Sequence, residues 1–179
     1  FWLPEYGLAE KSRQDRTPYD VWKKQGHLET TPGKSIQYEY IAALIAEEHQ
    51  RVGFRKIAFD RWNWKHLKPW LQKAGFSDEE LDGDKAIFEQ FGQGFGSMSP
   101  ALRTLESVLL NGELRHGGHP VLTMCAANAT VQSDPAGNRK LSKMKSHGRI
   151  DGMVALAMAM SVAGTWVAEP VAEPRLRFA

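Results

Sequence analysis

Two aspartates stand at positions where a carboxylate could hold a metal ion. Asp60 ends the short apolar run 57–59, and Asp151 opens the apolar segment 152–163. Carboxylate oxygens are the ligands that suit Mg²⁺ or Mn²⁺. In open α/β sheets, ligands bind at the carboxyl ends of strands, and Asp60 falls at such an end. Both aspartates are therefore candidate metal ligands.

Each aspartate also has a purely structural explanation. Asp60 could cap the helix that follows it by accepting backbone amide hydrogens. Asp151 could interact favourably with the dipole of its own helix, which is usually worth about 0.3 to 1 kcal/mol. Because the segment after Asp151 is so apolar, we expect its carboxylate to be pressed toward the interior. An unpaired charge is costly there unless it meets a cation or a metal.

A basic run lies directly before Asp151. Residues 139–149 contain five lysines and arginines and no acid, namely Arg139, Lys140, Lys143, Lys145 and Arg149, and His147 is a further potential donor. Such a run can be a solvated loop or an arm that follows DNA phosphates. Its position beside Asp151 favours the second interpretation. The net charge of the chain is only +2, so any nucleic-acid binding must rest on local patches of this kind.

A second segment with cations lies directly after Asp60. It alternates cations with aromatic rings over Arg61-Trp62-Asn63-Trp64-Lys65-His66. Such a pattern can stack nucleobases or hold a nucleic-acid backbone. We expect one of the two indoles to lie in the core instead.

Two glycine-containing motifs are weaker candidates. Gly33-Lys34-Ser35 is similar to the end of a phosphate-binding loop, but Leu28 stands where that motif needs a glycine. This excludes ATP binding by this part of the protein. The glycines at 92, 94 and 96 lack the dinucleotide-binding spacing and indicate a flexible loop.

The histidines and the single cysteine are weak candidates for metal binding or catalysis. His116 and His119 could bind a transition metal, but no further ligand is evident beside them. Cys125 is the single cysteine, which excludes an internal disulfide and argues against a structural zinc site. It falls within a helical run with no histidine or acid beside it in sequence, so we expect it to be buried and to have no chemical role.

The hydrophobic spacing predicts an α/β fold. Helices are expected at 18–25, 37–52, 64–73, 101–110, 120–129 and 150–163, and strands at 28–31, 57–59, 86–91 and 114–116. The length of 179 residues suits one domain, which we expect over 1–164, followed by a mobile tail over 165–179. The uncharged stretch 152–168 is too short to span a membrane, so we expect no membrane anchor.

Several motifs together resemble the C-terminal nuclease region of the large terminase subunits of tailed bacteriophages. They occur in order along the chain: Phe1-Trp2-Leu3-Pro4-Glu5, Thr31-Pro32-Gly33, Ile57-Ala58-Phe59-Asp60-Arg61-Trp62, Gly94-Phe95-Gly96-Ser97-Met98-Ser99-Pro100-Ala101, Leu114-Arg115-His116-Gly117-Gly118-His119-Pro120-Val121-Leu122, Asn128 and Arg149-Ile150-Asp151-Gly152-Met153-Val154-Ala155-Leu156. The resemblance covers residues 1 to about 163. A set of ordered motifs is far more specific than any one of them.

The resemblance implies an RNase H-like fold, with a central mixed sheet flanked by helices, and metal-dependent cutting of concatemeric double-stranded DNA during genome packaging. It implies two Mg²⁺ or Mn²⁺ ions held by acids that include Asp60 and Asp151. Lys143, Lys145 and Arg149 would contact the DNA backbone, with Lys140 at the periphery. The implied partners are double-stranded DNA, a small terminase subunit, a portal protein and an upstream ATPase domain. The implied location is the cytoplasm of a bacterial host.

The front of the chain departs from the family pattern. The family's first strand, with a further aspartate, is expected before Phe1, so the N-terminal strand is missing from these residues and the metal site would be incomplete. His119 stands where a smaller polar residue is expected. Two alternatives stay open: a DNA-binding or docking module without chemistry of its own, and another nuclease of the same fold, such as a junction resolvase.

Overall fold

The computed structural model describes residues 1–84 and 86–163. Its helices are α1 (Leu8–Gln14), α2 (Tyr19–Lys24), α3 (Tyr38–Val52), α4 (Trp64–Lys73), α5 (Asp78–Asp82), α6 (Phe95–Leu110), α7 (Pro120–Asn128) and α8 (Asp151–Ala163). Its strands are β1 (Trp2–Pro4), β2 (Glu29–Thr31), β3 (Ile57–Asp60), β4 (Phe88–Phe91), β5 (Val131–Ser133) and β6 (Arg139–Leu141). A 3-10 helix over Arg61–Asn63 joins β3 to α4. Strands and helices are interspersed along the chain, as expected for the α/β fold that the hydrophobic spacing predicts.

The strands pair in three two-stranded ladders. β1 pairs with β2 and β3 with β4, both in parallel, whereas β5 and β6 form an antiparallel hairpin. In the β3–β4 ladder Asp60 stands opposite Phe91. Parallel and antiparallel pairs therefore both occur, but within the described residues they do not join into one continuous sheet.

The β3–β4 ladder is covered by helices on both faces. Ile57 and Phe59 point to a cluster built on α3, α4 and Phe88. Ala58, between them, packs instead against a cluster formed by α6, α8 and Phe91. This alternation follows from the two-residue period of a strand, which sends successive side chains to opposite faces. β3 is thus held from both sides, and that fixes the position of Asp60 at its end.

Most helices lie within one residue of their expected bounds, but one begins earlier than expected and another was not expected. α6 begins at Phe95 rather than at Ala101, and its first part buries Met98 and Ser99. α5 was not expected; its capping box joins Ser77 and Glu80, which satisfies free amides at the helix start.

Other expectations need correction. The short strand expected at 114–116 is absent, since those residues have no strand or helix assignment. Helix α1 and the two strands that flank the turn at 134–138 were not expected. The mobile tail expected over 165–179 lies outside the described residues. Within the part that is described, no helix has the length and hydropathy needed to cross a membrane.

Candidate active site

Asp60 lies at the carboxyl end of β3, as predicted. Its Oδ1 accepts a hydrogen bond from the Trp62 backbone amide at 3.2 Å, so Asp60 caps the short 3-10 helix. Its Oδ2 accepts a second hydrogen bond at 2.7 Å from the Gln93 side-chain amide. The capping explanation is therefore correct for one oxygen. The other oxygen is held by a residue from a different element, which capping does not require.

Asp151 is the first residue of α8, as predicted, but its carboxylate does not point inward. The side chain is 62% exposed, and the Lys143 amino group lies 3.3 Å from its Oδ1. The expectation that it is pressed toward the interior was wrong. The helix instead buries Gly152, Val154 and Ala157 and leaves Asp151 at the surface, where a cation and solvent share its charge.

The packing of β3 against α8 relates the two aspartates. The segment 54–58 at the start of β3 shares a groove with Ala155 and Ala159 of α8 and with the end of that helix. Phe91, the ladder partner of Asp60, belongs to the same buried cluster as Ile150, the residue before Asp151. We infer that α8 runs opposite to β3. Asp60 and Asp151 then lie at the same end of the ladder.

Gln93 is a site residue that the sequence did not reveal. It lies between β4 and α6, in the loop expected to be merely flexible, and its amide contacts Asp60 across 33 residues of sequence. The parallel pairing of β3 and β4 brings both carboxyl ends to one edge, so the loop after β4 meets the end of β3. Only its place just after a strand could have signalled this.

The predicted basic residues have different surroundings. Lys143 contacts Asp151, whereas Lys140 places its amino group 4.6 Å from the centre of the Phe95 ring. Lys145 is exposed. The segment is held by Ser142, whose hydroxyl accepts from the Lys145 backbone amide at 3.3 Å. The loop after β6 is therefore anchored, places the Lys143 amino group beside Asp151 and leaves Lys145 exposed.

Arg149 is turned toward α1 and α2. Its Nε lies 3.5 Å from Asp15 Oδ2, the same oxygen that accepts a hydrogen bond from the buried Tyr19 hydroxyl at 3.0 Å. Burial acts to raise the pKa of Asp15, but Tyr19, Lys11 and Arg149 outweigh it, and the pKa lies below its usual value. Asp15 is thus a charged anchor for Arg149.

Replacing Tyr19 with phenylalanine should lower the free energy of unfolding at pH 7 by about 1 to 2 kcal/mol, because a hydrogen bond to a charged group is lost. The pKa of Asp15 is lower in the folded state than in the unfolded state, where it is about 3.9. The stability that Asp15 contributes is therefore fully present above the unfolded pKa and is lost as the pH falls through the folded pKa. Urea unfolding at pH 7 and pH 3 checks both statements. Tyr40→Phe, at a ring that is 40% exposed, is the matched control. An equal loss at both pH values would contradict this account.

The histidine and cysteine candidates do not form a second metal site among the described residues. His116 Nδ1 accepts from the Gly118 backbone amide, and His119 instead packs 5.1 Å from the Phe1 and His27 rings. Burial lowers the pKa of His119. Cys125 is buried, as expected, and burial raises the pKa of its thiol. Among the described residues, no three histidine, cysteine or acidic side chains are grouped so as to hold a metal.

The parallel β3–β4 ladder lies between two layers of helices, and the structure matches those of terminase nucleases, so its class is the RNase H-like nuclease fold. The family model of the terminase large subunit endonuclease domain matches residues 2–166. The chain is 48% identical over 169 residues to the large terminase subunit of Enterobacteria phage HK97, covering 94% of this chain and 32% of that one. It is 27% identical over 166 residues to protein YmfN of Escherichia coli K12, covering 89% and 34%.

Two solved structures are similar to this one. The crystal structure of the HK97 bacteriophage large terminase superposes with a TM-score of 0.81 at 48% identity, covering 90% of this chain and 32% of that one. The large terminase nuclease of the thermophilic phage G20c has a TM-score of 0.52 at 14% identity, covering 72% and 64%, and is similar in fold alone. The chain therefore belongs to the terminase large subunit endonuclease family. It spans about a third of the length of the curated relatives it matches.

Proposed function

We propose that these residues form the nuclease part of a DNA-packaging terminase, which cuts concatemeric double-stranded DNA by metal-dependent hydrolysis of phosphodiester bonds. The proposal is supported by two contacts: Asp60, at the end of β3, is held by the Gln93 side chain, and Asp151, at the start of α8, lies beside Lys143. It also rests on the inference that both carboxylates lie at the same end of the β3–β4 ladder. In this proposal the two carboxylates would bind the cations and the basic residues would bind the phosphates.

In this proposal Asp60 and Asp151 hold Mg²⁺ or Mn²⁺. The donors fit such ions, because both are carboxylates and neither is sealed from solvent. When bound, the ions would help activate water and stabilise the leaving oxygen. Asp60 is oriented by the Trp62 amide and by Gln93, so its remaining lone pairs have a fixed direction.

A further strand with a third carboxylate is part of this proposal. Within the described residues β3 pairs with β4 along one edge alone. A groove of about 540 Å³ is lined by Ile57 and Ala58 of β3, by Ile45 of α3, and by Ala155 and Ala159 of α8. An apolar strand in this groove would be covered by helices on both faces, as a buried strand requires. The groove supports the expectation of a family strand that precedes Phe1.

The basic loop would hold the DNA backbone. Lys145 is exposed, and Lys143 would exchange its contact with Asp151 for a phosphate when metal neutralises that carboxylate. Arg149, braced by Asp15, would give a fixed phosphate contact, with Lys140 at the edge. The remaining partners would be a small terminase subunit, a portal protein and an upstream ATPase domain, acting in the cytoplasm of the bacterial host.

The test compares three DNA substrates with and without Mn²⁺, using a longer chain in which the proposed first strand precedes these residues. We expect Mn²⁺-dependent cleavage of linear and plasmid duplex, and no preference for a four-way junction. A marked preference for branched DNA would instead indicate a resolvase. Salt-sensitive binding that ignores Mn²⁺, with no cleavage of any substrate, would indicate a docking module and overturn the proposal.

A further inference from the structure

We propose that Trp62, with Arg61 beside it, is a base-stacking element that binds an unpaired nucleobase next to the cut phosphodiester. The inference deepens the proposed function and rests on it for the location of the cut. It concerns the segment of alternating cations and aromatic rings after Asp60, which the metal site leaves unexplained. The ligand is a single nucleobase with an exposed face.

The two indoles of this segment lie in opposite environments. Trp64 stacks on Phe59 with ring centres 4.0 Å apart, contacts Phe88 and donates its indole hydrogen to Asp82. Trp62, two residues earlier, is 74% exposed. The expectation that one indole belongs to the core is confirmed for Trp64, which leaves Trp62 without a role in the packing.

Trp62 is exposed but its backbone is held in place. Its amide donates to Asp60 Oδ1, within the 3-10 helix that links β3 to α4. The same carboxylate is fixed from the other side by Gln93. The ring therefore stands within two residues of the proposed metal ligand. An isolated exposed aromatic ring needs no explanation by itself, but one tied to a candidate catalytic carboxylate is placed to touch the substrate.

The surrounding charge favours nucleic acid as the partner. The Arg61 guanidinium lies 5.4 Å from the Trp62 ring centre, and the segment 61–66 contains cations and no acid. An indole beside a cation suits a nucleobase that is joined to a phosphate. Inside a regular duplex each base is covered by its neighbours on both faces. The stacked base must therefore be unpaired or at a strand end.

The test measures binding without metal, so that no cleavage occurs. In EDTA, fluorescence anisotropy gives the Kd of the chain for a duplex with one unpaired adenine and for the same duplex with an abasic site in its place. We expect the adenine duplex to bind about tenfold more tightly, the value typical of one stacked base. Trp62→Ala should remove this preference and leave the abasic duplex unaffected, and Trp62→Phe should retain part of it.

Tyr6→Ala is the matched control. Tyr6 is also an exposed aromatic ring, 67% exposed, with the Lys34 amino group 4.7 Å from its centre, but it follows β1 and is not tied to Asp60. This variant should keep the full preference for adenine. A thermal melt of each variant confirms that it is folded.

Three results would overturn the proposal: a tenfold preference that survives Trp62→Ala, an equal loss on both duplexes, or no preference in the unaltered chain. If Trp62→Ala left the affinity for every DNA unchanged, the exposed Trp62 ring would instead belong to a protein-contact surface. Because these measurements need no metal, their outcome is separate from that of the cleavage test. Loss of the preference on Trp62→Ala would support stacking even if Asp151 proved dispensable for cleavage.

Discussion

Replacing Asp60 or Asp151 with asparagine is expected to lower Mn²⁺-dependent cleavage of duplex DNA by at least about 100-fold, in a longer chain that carries the proposed first strand. The physical reason is the loss of a charged oxygen ligand, which should cost more than the roughly 10- to 100-fold typical of residues that only orient a ligand. Plasmid nicking across a range of Mn²⁺ concentrations measures the effect. Calorimetric titration with Mn²⁺ should show weaker binding in both variants.

The control for Asp151 separates metal binding from the helix dipole. Glu39 is an exposed acid in the first turn of α3, as Asp151 is in the first turn of α8. Both Asp151→Asn and Glu39→Gln should therefore cost stability of about 0.3 to 1 kcal/mol. We expect only Asp151→Asn to change cleavage. Wild-type cleavage by that variant would remove Asp151 from the mechanism and leave the dipole as its whole explanation.

Replacing Gln93 with alanine is expected to lower cleavage at limiting Mn²⁺ by about 10- to 100-fold, the usual effect of losing a group that orients a metal ligand. Its amide holds Asp60 Oδ2 at 2.7 Å, and without it the carboxylate is fixed only through Oδ1. Gln93 is a positioning residue, so the loss should appear as a higher Mn²⁺ requirement. Saturating Mn²⁺ should restore most of the rate.

Gln90→Ala is the matched control, because Gln90 is an exposed glutamine in β4, three residues before Gln93. It should leave the Mn²⁺ dependence unchanged. A Gln93→Ala variant that loses rate equally at all Mn²⁺ concentrations would contradict a positioning role, since a folding defect or a direct substrate contact would act in that way.

Local patterns in the sequence were enough to locate the elements that carry the site. The spacing of apolar residues predicted α3, β3, α4 and α8, because each buries one continuous face or run against the rest of the chain. The same spacing put Asp60 at a strand end and Asp151 at a helix start, and ordered motifs indicated the family. Helix and strand positions can be read in this way because the periodicity of apolar residues is a property of each short segment.

Contacts between distant segments were decided only by the tertiary structure. Gln93 meets Asp60 because β3 and β4 pair in parallel, and no local pattern specifies that register. Trp64 packs against Phe59 beside the core, whereas Trp62 is exposed to solvent. Asp151 lies at the surface because α8 buries its other faces, although the apolar sequence of α8 favoured an inward carboxylate. Each outcome depends on which segments pack together, and that choice minimises exposed apolar surface over the whole chain rather than within one segment.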